Sequence, residues 1–262
     1  MTQSVVITRP QTQAEELLPA VEAIGRQAVL FPLLEIAPLQ DPADLAALRT
    51  ALAHIGDYAL VAFVSPNAID AAFAMLPAWP PDVPIGIMGE GSRRALAKHG
   101  VDDSNAVIFS PRDARTDSET LLAVLDLDAL RARQVMILRG QTGRELLADR
   151  LREEGVEVTQ VAAYSRRAPP FDAARQAQLT ALLASKNDWI VTSSEALRNL
   201  AHMARQLAAL GLCPDAVAKM QQQRLIVPHA RIAETAQSEG FLDVCLTASG
   251  DEALRAALQS SL

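Results

Sequence analysis

Aromatic residues are scarce in this sequence: they make up 4% of its 262 residues, with two tyrosines and two tryptophans. Packed cores must therefore be filled by Leu, Val, Ile and Ala, which the 50% hydrophobic content supplies. Cysteine is equally sparse. Cys213 and Cys245 have no CxxC neighbour, so no disulfide framework or thiolate metal site is indicated, and two buried free thiols are expected. Excess basic charge is missing too. A net charge of -7 argues against non-specific nucleic-acid binding, which needs a basic surface. It leaves room for a small anion, because local arginines and helix N-termini bind anions within an acidic protein. No apolar run approaches the roughly 18 residues of a membrane span. The start, MTQSVVITRP, lacks the basic stretch and long apolar run of a secretory signal, so a cytoplasmic location is expected. A phosphate-cradling GxxxxGK[ST] loop and a hydrolase GxSxG elbow are both absent. His54, His99, His202 and His229 show no metal-ligand spacing, and no metal site is expected.

What is present is a regular alternation. Short apolar runs at 4–8, 27–31, 59–64, 84–88, 106–109, 134–138, 156–163, 189–192, 224–227 and 243–246 are separated by longer amphipathic runs. Such β–α alternation predicts parallel sheets covered by helices on both faces. The length exceeds one usual core, so two domains are expected.

The chain also resembles itself. Residues 4–35 align without a gap to 134–165, matching Val5, Ile7, Arg9, Gln11, Thr12, Glu15, Leu17 and Gly25 with Val135, Ile137, Arg139, Gln141, Thr142, Glu145, Leu147 and Gly155. Residues 59–69 resemble 187–197, and 85–100 loosely resemble 225–240. The order is A, B, A′, B′, which reads as a duplication. Each A unit ends in a proline-bearing extended tail, 29–39 and 159–171, suited to crossing between lobes.

The residues that could carry chemistry gather at strand ends. Ser65, followed by Pro66 and Asn67, and Ser193, followed by Ser194 and Glu195, each stand between an apolar strand and a helix. Both serines suit helix N-caps. The free amides there can also hold a carboxylate, and open parallel sheets take ligands at these ends. The two turns are expected to face each other across a cleft. Arg9 and Arg139 sit at equivalent strand ends, where a bidentate arginine–carboxylate pair is worth roughly 1.5–3 kcal/mol. Gly86, Gly89, Gly91 and Ser92 form a tight turn, out of register for a dinucleotide fingerprint, whose amides at Gly89 and Ser92 are candidates for an anion. His229 and Arg231 follow the strand RLIVP and are candidate ligands. Tyr164 lies where the chain would cross between lobes, and a phenol can donate a proton without carrying charge.

The residues so assembled resemble the uroporphyrinogen-III synthase family. The resemblance runs through VVITRP (5–10), FPLLEI (31–36), AFVSPNAI (62–69), GEGSRRAL (89–96), SETLL (118–122), LRGQTGRELLADRLREEGVEV (138–158), AYSRR (163–167), VTSSEALRNL (191–200), PHARIAETA (228–236) and ASGDEAL (248–254). It implies two similar α/β lobes, each a flavodoxin-like parallel sheet flanked by helices, joined by a two-stranded β linker. Lobe one would be 1–36 plus 170–262, lobe two 40–163, and the linker 37–39 with 164–169. It implies cyclisation of hydroxymethylbilane to uroporphyrinogen III by a cytoplasmic monomer, with loss of water, inversion of ring D and no metal or organic cofactor. Tyr164 matches the family's tyrosine that assists hydroxyl departure. Ser65, Ser92, Ser193 and Ser194 match its cleft-lining positions. Ser92 stands where many members carry threonine, and Asn67 where some carry arginine. Two other classes fit parts of the pattern: a two-lobed protein that closes on a small anion without chemistry, and a nucleotide-dependent regulator.

Overall fold

The computed structural model describes residues 3–14, 17–111, 118–248 and 250–259. Of the residues singled out above, Glu15, Ser249 and the Thr12 side chain fall outside the description. Among the described residues the strands are β1 (Val5–Ile7), β2 (Ala28–Leu30), β3 (Glu35–Ala37), β4 (Leu60–Phe63), β5 (Ile85–Ile87), β6 (Ile108–Phe109), β7 (Gln134–Gly140), β8 (Glu157–Arg167), β9 (Asp188–Ile190), β10 (Arg224–Val227) and β11 (Asp243–Leu246). Every apolar run expected to be a strand overlaps one. β3 falls in the first extended tail, starting two residues ahead of the linking stretch expected at 37–39, and β8 continues past the run ending at 163 into the second tail, through Arg167. The reason is pairing: β3 lies beside β8 in the sheet, and neither stretch carries a strong period of its own.

The chain divides into two compact units. One is Met1–Glu35 with Arg167–Leu262, the other Ile36–Arg166. The first holds a sheet ordered β11-β10-β9-β1-β2, with every pair parallel. The second holds β3-β8-β7-β4-β5-β6, parallel from β8 to β6.

Strands this short are held by burial on both faces. In the first unit, alternate residues Val6, Trp189, Leu225 and Val227 face the helix Ser194–Ala209 and its Leu197, Leu200 and Leu207. Val5, Ile7, Ile190 and Ile226 face the opposite way, towards Leu17, Val21, Leu254 and Leu258. In the second unit, Val61, Phe63, Met136 and Leu138 pack with Leu48, Ile69 and Leu96. Leu60, Ala62, Val135 and Ile137 pack with Leu121, Leu147 and Leu151. This is the period-two alternation of a strand, with each face covered by helices.

The self-similarity of the sequence reappears as register. Val5 stands opposite Asp188 and Ala28, and its counterpart Val135 opposite Leu60 and Val158. The two sheets thus share one strand layout, threaded differently. The first unit visits its strands in the order 1, 2, 9, 10, 11, whereas the second, after the edge strand β3, runs from β4 and reaches the equivalents of β1 and β2 last.

One correction to the sequence reading concerns a thiol. Cys213 is buried as expected, but Cys245 is only half-buried; both are free. The Cys213 thiol is pushed up by burial and by its hydrogen bond with Asp215, so it is a poor nucleophile.

Candidate active site

In an open parallel sheet the favoured ligand position lies outside the strand C-termini, where the winding direction reverses. In the second unit that point falls between β4 and β7, and in the first between β1 and β9.

In the second unit, β4 delivers Ser65, and β7 ends at Gly140. Ser65 has an extended backbone and caps the helix Pro66–Phe73: its Oγ accepts from the Ala68 amide at 3.2 Å. The same hydroxyl donates to the phenol oxygen of Tyr164 at 3.1 Å. Tyr164 arrives from β8 through a bulge. Arg139 pairs with Ala162, but Gly140 pairs with Tyr164, so Ala163 is an extra residue. A bulge re-aims a side chain. Here Ala163 and Tyr164, although consecutive, both pack into the cluster holding Phe63 and Leu138. Asn67 is half-buried at the second position of the capped helix. Gly89 precedes the helix Glu90–Lys98 with φ 153°, a conformation that favours glycine, and its carbonyl accepts from the Ser92 and Arg93 amides. Ser92 is buried in that first turn.

Arg139 is not presented as a loose cation. It is 8% exposed, it pairs with Glu145 at 2.6 Å, and it hydrogen-bonds Gln160, which also donates to Glu145 at 2.5 Å. The Gln160 and Arg139 hydrogen bonds hold the Glu145 carboxyl below its ordinary value. Arg139 therefore braces the turn that follows β7. Arg9, at the equivalent end of β1, pairs with Asp251 at 2.6 Å.

In the first unit, Ser193 caps the helix Ser194–Ala209, its Oγ accepting from the Glu195 and Ala196 amides at 3.2 and 3.4 Å. Ser194 is buried. Its hydroxyl lies 3.0 Å from that of Thr235, and Thr235 donates to the Arg231 carbonyl at 2.9 Å. His229 and Arg231 are exposed at the start of the helix Ala230–Ser238, beyond β10.

The expected residues thus fall into two sets, each along the strand C-termini of one unit. Tyr164 and Ser65 are hydrogen-bonded in one, and Ser194 is tied to the Arg231 turn in the other. Sequence reasoning missed Gly140, Gln160, Thr235 and Asp251, and it matched Glu145 only as a repeat position. For Gly140 there was a signal: in the self-alignment Pro10 faces Gly140 and Leu34 faces Tyr164.

Parallel sheets flanked by helices, with hydroxyls and capped helix starts at their switch points, define the class: an α/β protein of open parallel sheets. A family model for uroporphyrinogen-III synthase HemD matches residues 15–250. The chain is similar to uroporphyrinogen-III synthase of Escherichia coli strain K12, with 33% identity covering 98% of this chain and 100% of the relative. It is 32% identical to that of Salmonella typhimurium strain LT2, again covering 98% and 100%. The chain belongs to the uroporphyrinogen-III synthase family, which is a family of enzymes. Its fold is similar to a solved uroporphyrinogen-III synthetase from Helicobacter pylori 26695 (TM-score 0.63, 16% identity, covering 99% and 100% of the two chains). It is likewise similar to a mutant uroporphyrinogen III synthase from Thermus thermophilus (TM-score 0.56, 14% identity, 98% of each chain). Among the described residues, no helix is long and apolar enough to cross a membrane.

Proposed function

We propose that the chain cyclises hydroxymethylbilane, a linear tetrapyrrole bearing carboxylates, to uroporphyrinogen III, as a cofactor-independent lyase. Tyr164 donates a proton to the departing hydroxyl. The pyrrole nitrogen supplies the electron pair, and water leaves behind an azafulvene. The substituted carbon of ring D then bonds to the exocyclic carbon, giving a spiro intermediate. The older bond from that carbon to the bridge of ring C then breaks, its electron pair restoring the ring D pyrrole and leaving an azafulvene on ring C. The free α-carbon of ring D bonds to that bridge carbon and loses its proton, which restores the acid and leaves ring D inverted. One positioned weak acid contributes roughly 10²–10⁴-fold. The remaining work is folding the substrate into this geometry. Ser65, Asn67, Gly89 and Ser92 in one unit, and Ser193, Ser194, His229 and Arg231 in the other, are its binding groups. Arg9 and Arg139 complete the set as braces whose outer N–H groups a carboxylate can share.

The observation that carries this reading is the Tyr164 hydroxyl. It accepts from Ser65 at 3.1 Å beside the β4–β7 switch point, which leaves its own proton to give. The finer architecture belongs to the same proposal: a duplicated lobe, with lobe one as 1–36 plus 170–262, lobe two as 40–163, and linking stretches at 37–39 and 164–169. So do a monomeric state and a cytoplasmic location. The test supplies purified protein with freshly generated hydroxymethylbilane and separates the oxidised product isomers. The type III isomer is expected; type I alone, which forms without catalysis, would sink the assignment.

A further inference from the structure

Gly140 has no backbone reason to be glycine. It lies within β7, outside the left-handed region, where a glycine costs stability relative to a side-chain-bearing residue. Its neighbour in space is the Tyr164 ring. A Cβ at position 140 would stand 3.0 Å from the ring's Cζ, 3.2 Å from Cε2 and 3.2 Å from the hydroxyl oxygen. All three atoms belong to the end of the phenol that would do chemistry. The bulge at Ala163 brings Tyr164 opposite Gly140, and Ser65 holds the hydroxyl from the other side. In the first unit the three equivalent positions are Pro10, Leu34 and Ser193. The serine is kept as a cap, while the glycine and the tyrosine are both replaced. The glycine therefore accompanies the tyrosine, not the strand end as such.

We propose that Gly140 and Ser65 are positioning residues for Tyr164. The missing side chain at 140 is the space that lets the phenol lie flat across the end of β7. The Ser65 hydroxyl fixes its oxygen as an acceptor and directs its proton outward. This rests on the assignment of the reaction to Tyr164.

A methyl group at 140 forces the ring to give by a few tenths of an ångström, which lengthens and misaligns its bond to Ser65. Displacements of about 1 Å around a reacting group can cost about 10²-fold. The expected result for Gly140→Ala is therefore a kcat lowered about tenfold, with KM within about twofold of wild type.

The test measures kcat, KM and isomer ratio for wild type, Gly140→Ala, Tyr164→Phe and the double variant, with thermal melts of each. If Gly140 acts through the phenol, adding Gly140→Ala to Tyr164→Phe lowers kcat no further, because groups acting as a unit are non-additive. Additive losses, or a Gly140→Ala protein as fast as wild type beside a slow Tyr164→Phe, overturn the inference alone. A wild type that releases only type I product overturns the reaction assignment and the inference with it. Should Gly140→Ala fail to fold, Ser65 carries the same cycle. Ser65→Thr keeps the hydroxyl and should retain more of the rate than Ser65→Ala. Ser65→Ala should be slow, and no slower when combined with Tyr164→Phe; additive loss there overturns the proposal.

Discussion

Two equivalent positions are filled by opposite chemistries in the two units. At the start of β9, Asp188 is 1% exposed and bonds the equally buried Arg26 at 2.9 Å, with Arg224 a further 3.6 Å away on its other oxygen. In the second unit the corresponding residues are Leu60 and Val156, both buried in one apolar cluster. A buried ion pair recovers little beyond its desolvation cost, whereas half of one is expensive. Arg26→Val is therefore expected to destabilise the protein by about 3–5 kcal/mol, since it strands the Asp188 carboxylate. Adding Asp188→Leu, which copies the second unit, should restore most of that loss. Urea unfolding of the three proteins measures both numbers; a double variant no more stable than the single one would mean the ion pair earns its place.

At the scale of elements, the capped helices carry the argument. Ser193→Ala removes the acceptor for two amides at the head of a sixteen-residue helix. The expected loss is about 1 kcal/mol, read as a lower urea midpoint, with Ser193→Asp retaining most of the stability. That these serines start helices was legible in the sequence, because a cap is a local device: strand, serine, helix. The extended tails were legible too, but the bounds of β3 and of the end of β8 were not. Each owes its strand character to the other, far away along the chain, and no local period announces it. The bulge that turns Tyr164 was hidden for the same reason. It is a relation between β7 and β8, so Tyr164 could be singled out while its aim could not. Arg139 shows the reverse error of emphasis. Its strand-end place suggested a cation offered to a ligand, but the fold brings Gln160 and Glu145 round it.

For the whole molecule, the useful fact is that each unit has its own core and its own tryptophan. Trp189 is fully buried in the first unit, its Nε1 donating to Gln223 at 3.2 Å. Trp79 lies in the second, donating to the Val83 carbonyl at 2.8 Å and packed by Phe63 and Phe73. Separately cored domains unfold as separate cooperative units. With Trp79→Phe as background, Arg26→Val should shift the Trp189 fluorescence transition; with Trp189→Phe as background, it should leave the Trp79 transition in place. Equal shifts in both would show one cooperative molecule. The A, B, A′, B′ pattern returns in the two sheets, because equivalent strands keep equivalent registers. What the pattern could not supply was the chemistry that distinguishes the copies.

The threading of the strands also has a consequence in time. Thr8 bonds the carbonyl of Ile190, 182 residues away along the chain. At synthesis rates of roughly 5–20 residues per second, the first apolar strand waits about 10–40 s for β9, the second of its two neighbours in the sheet. The second unit is continuous, and all of its strands emerge before β9 exists. On the ribosome the middle of this chain is therefore complete while its beginning has β2 beside it but still lacks β9. The early strand VVI, fully buried in the finished protein, is the stretch a nascent-chain chaperone would have to shield longest.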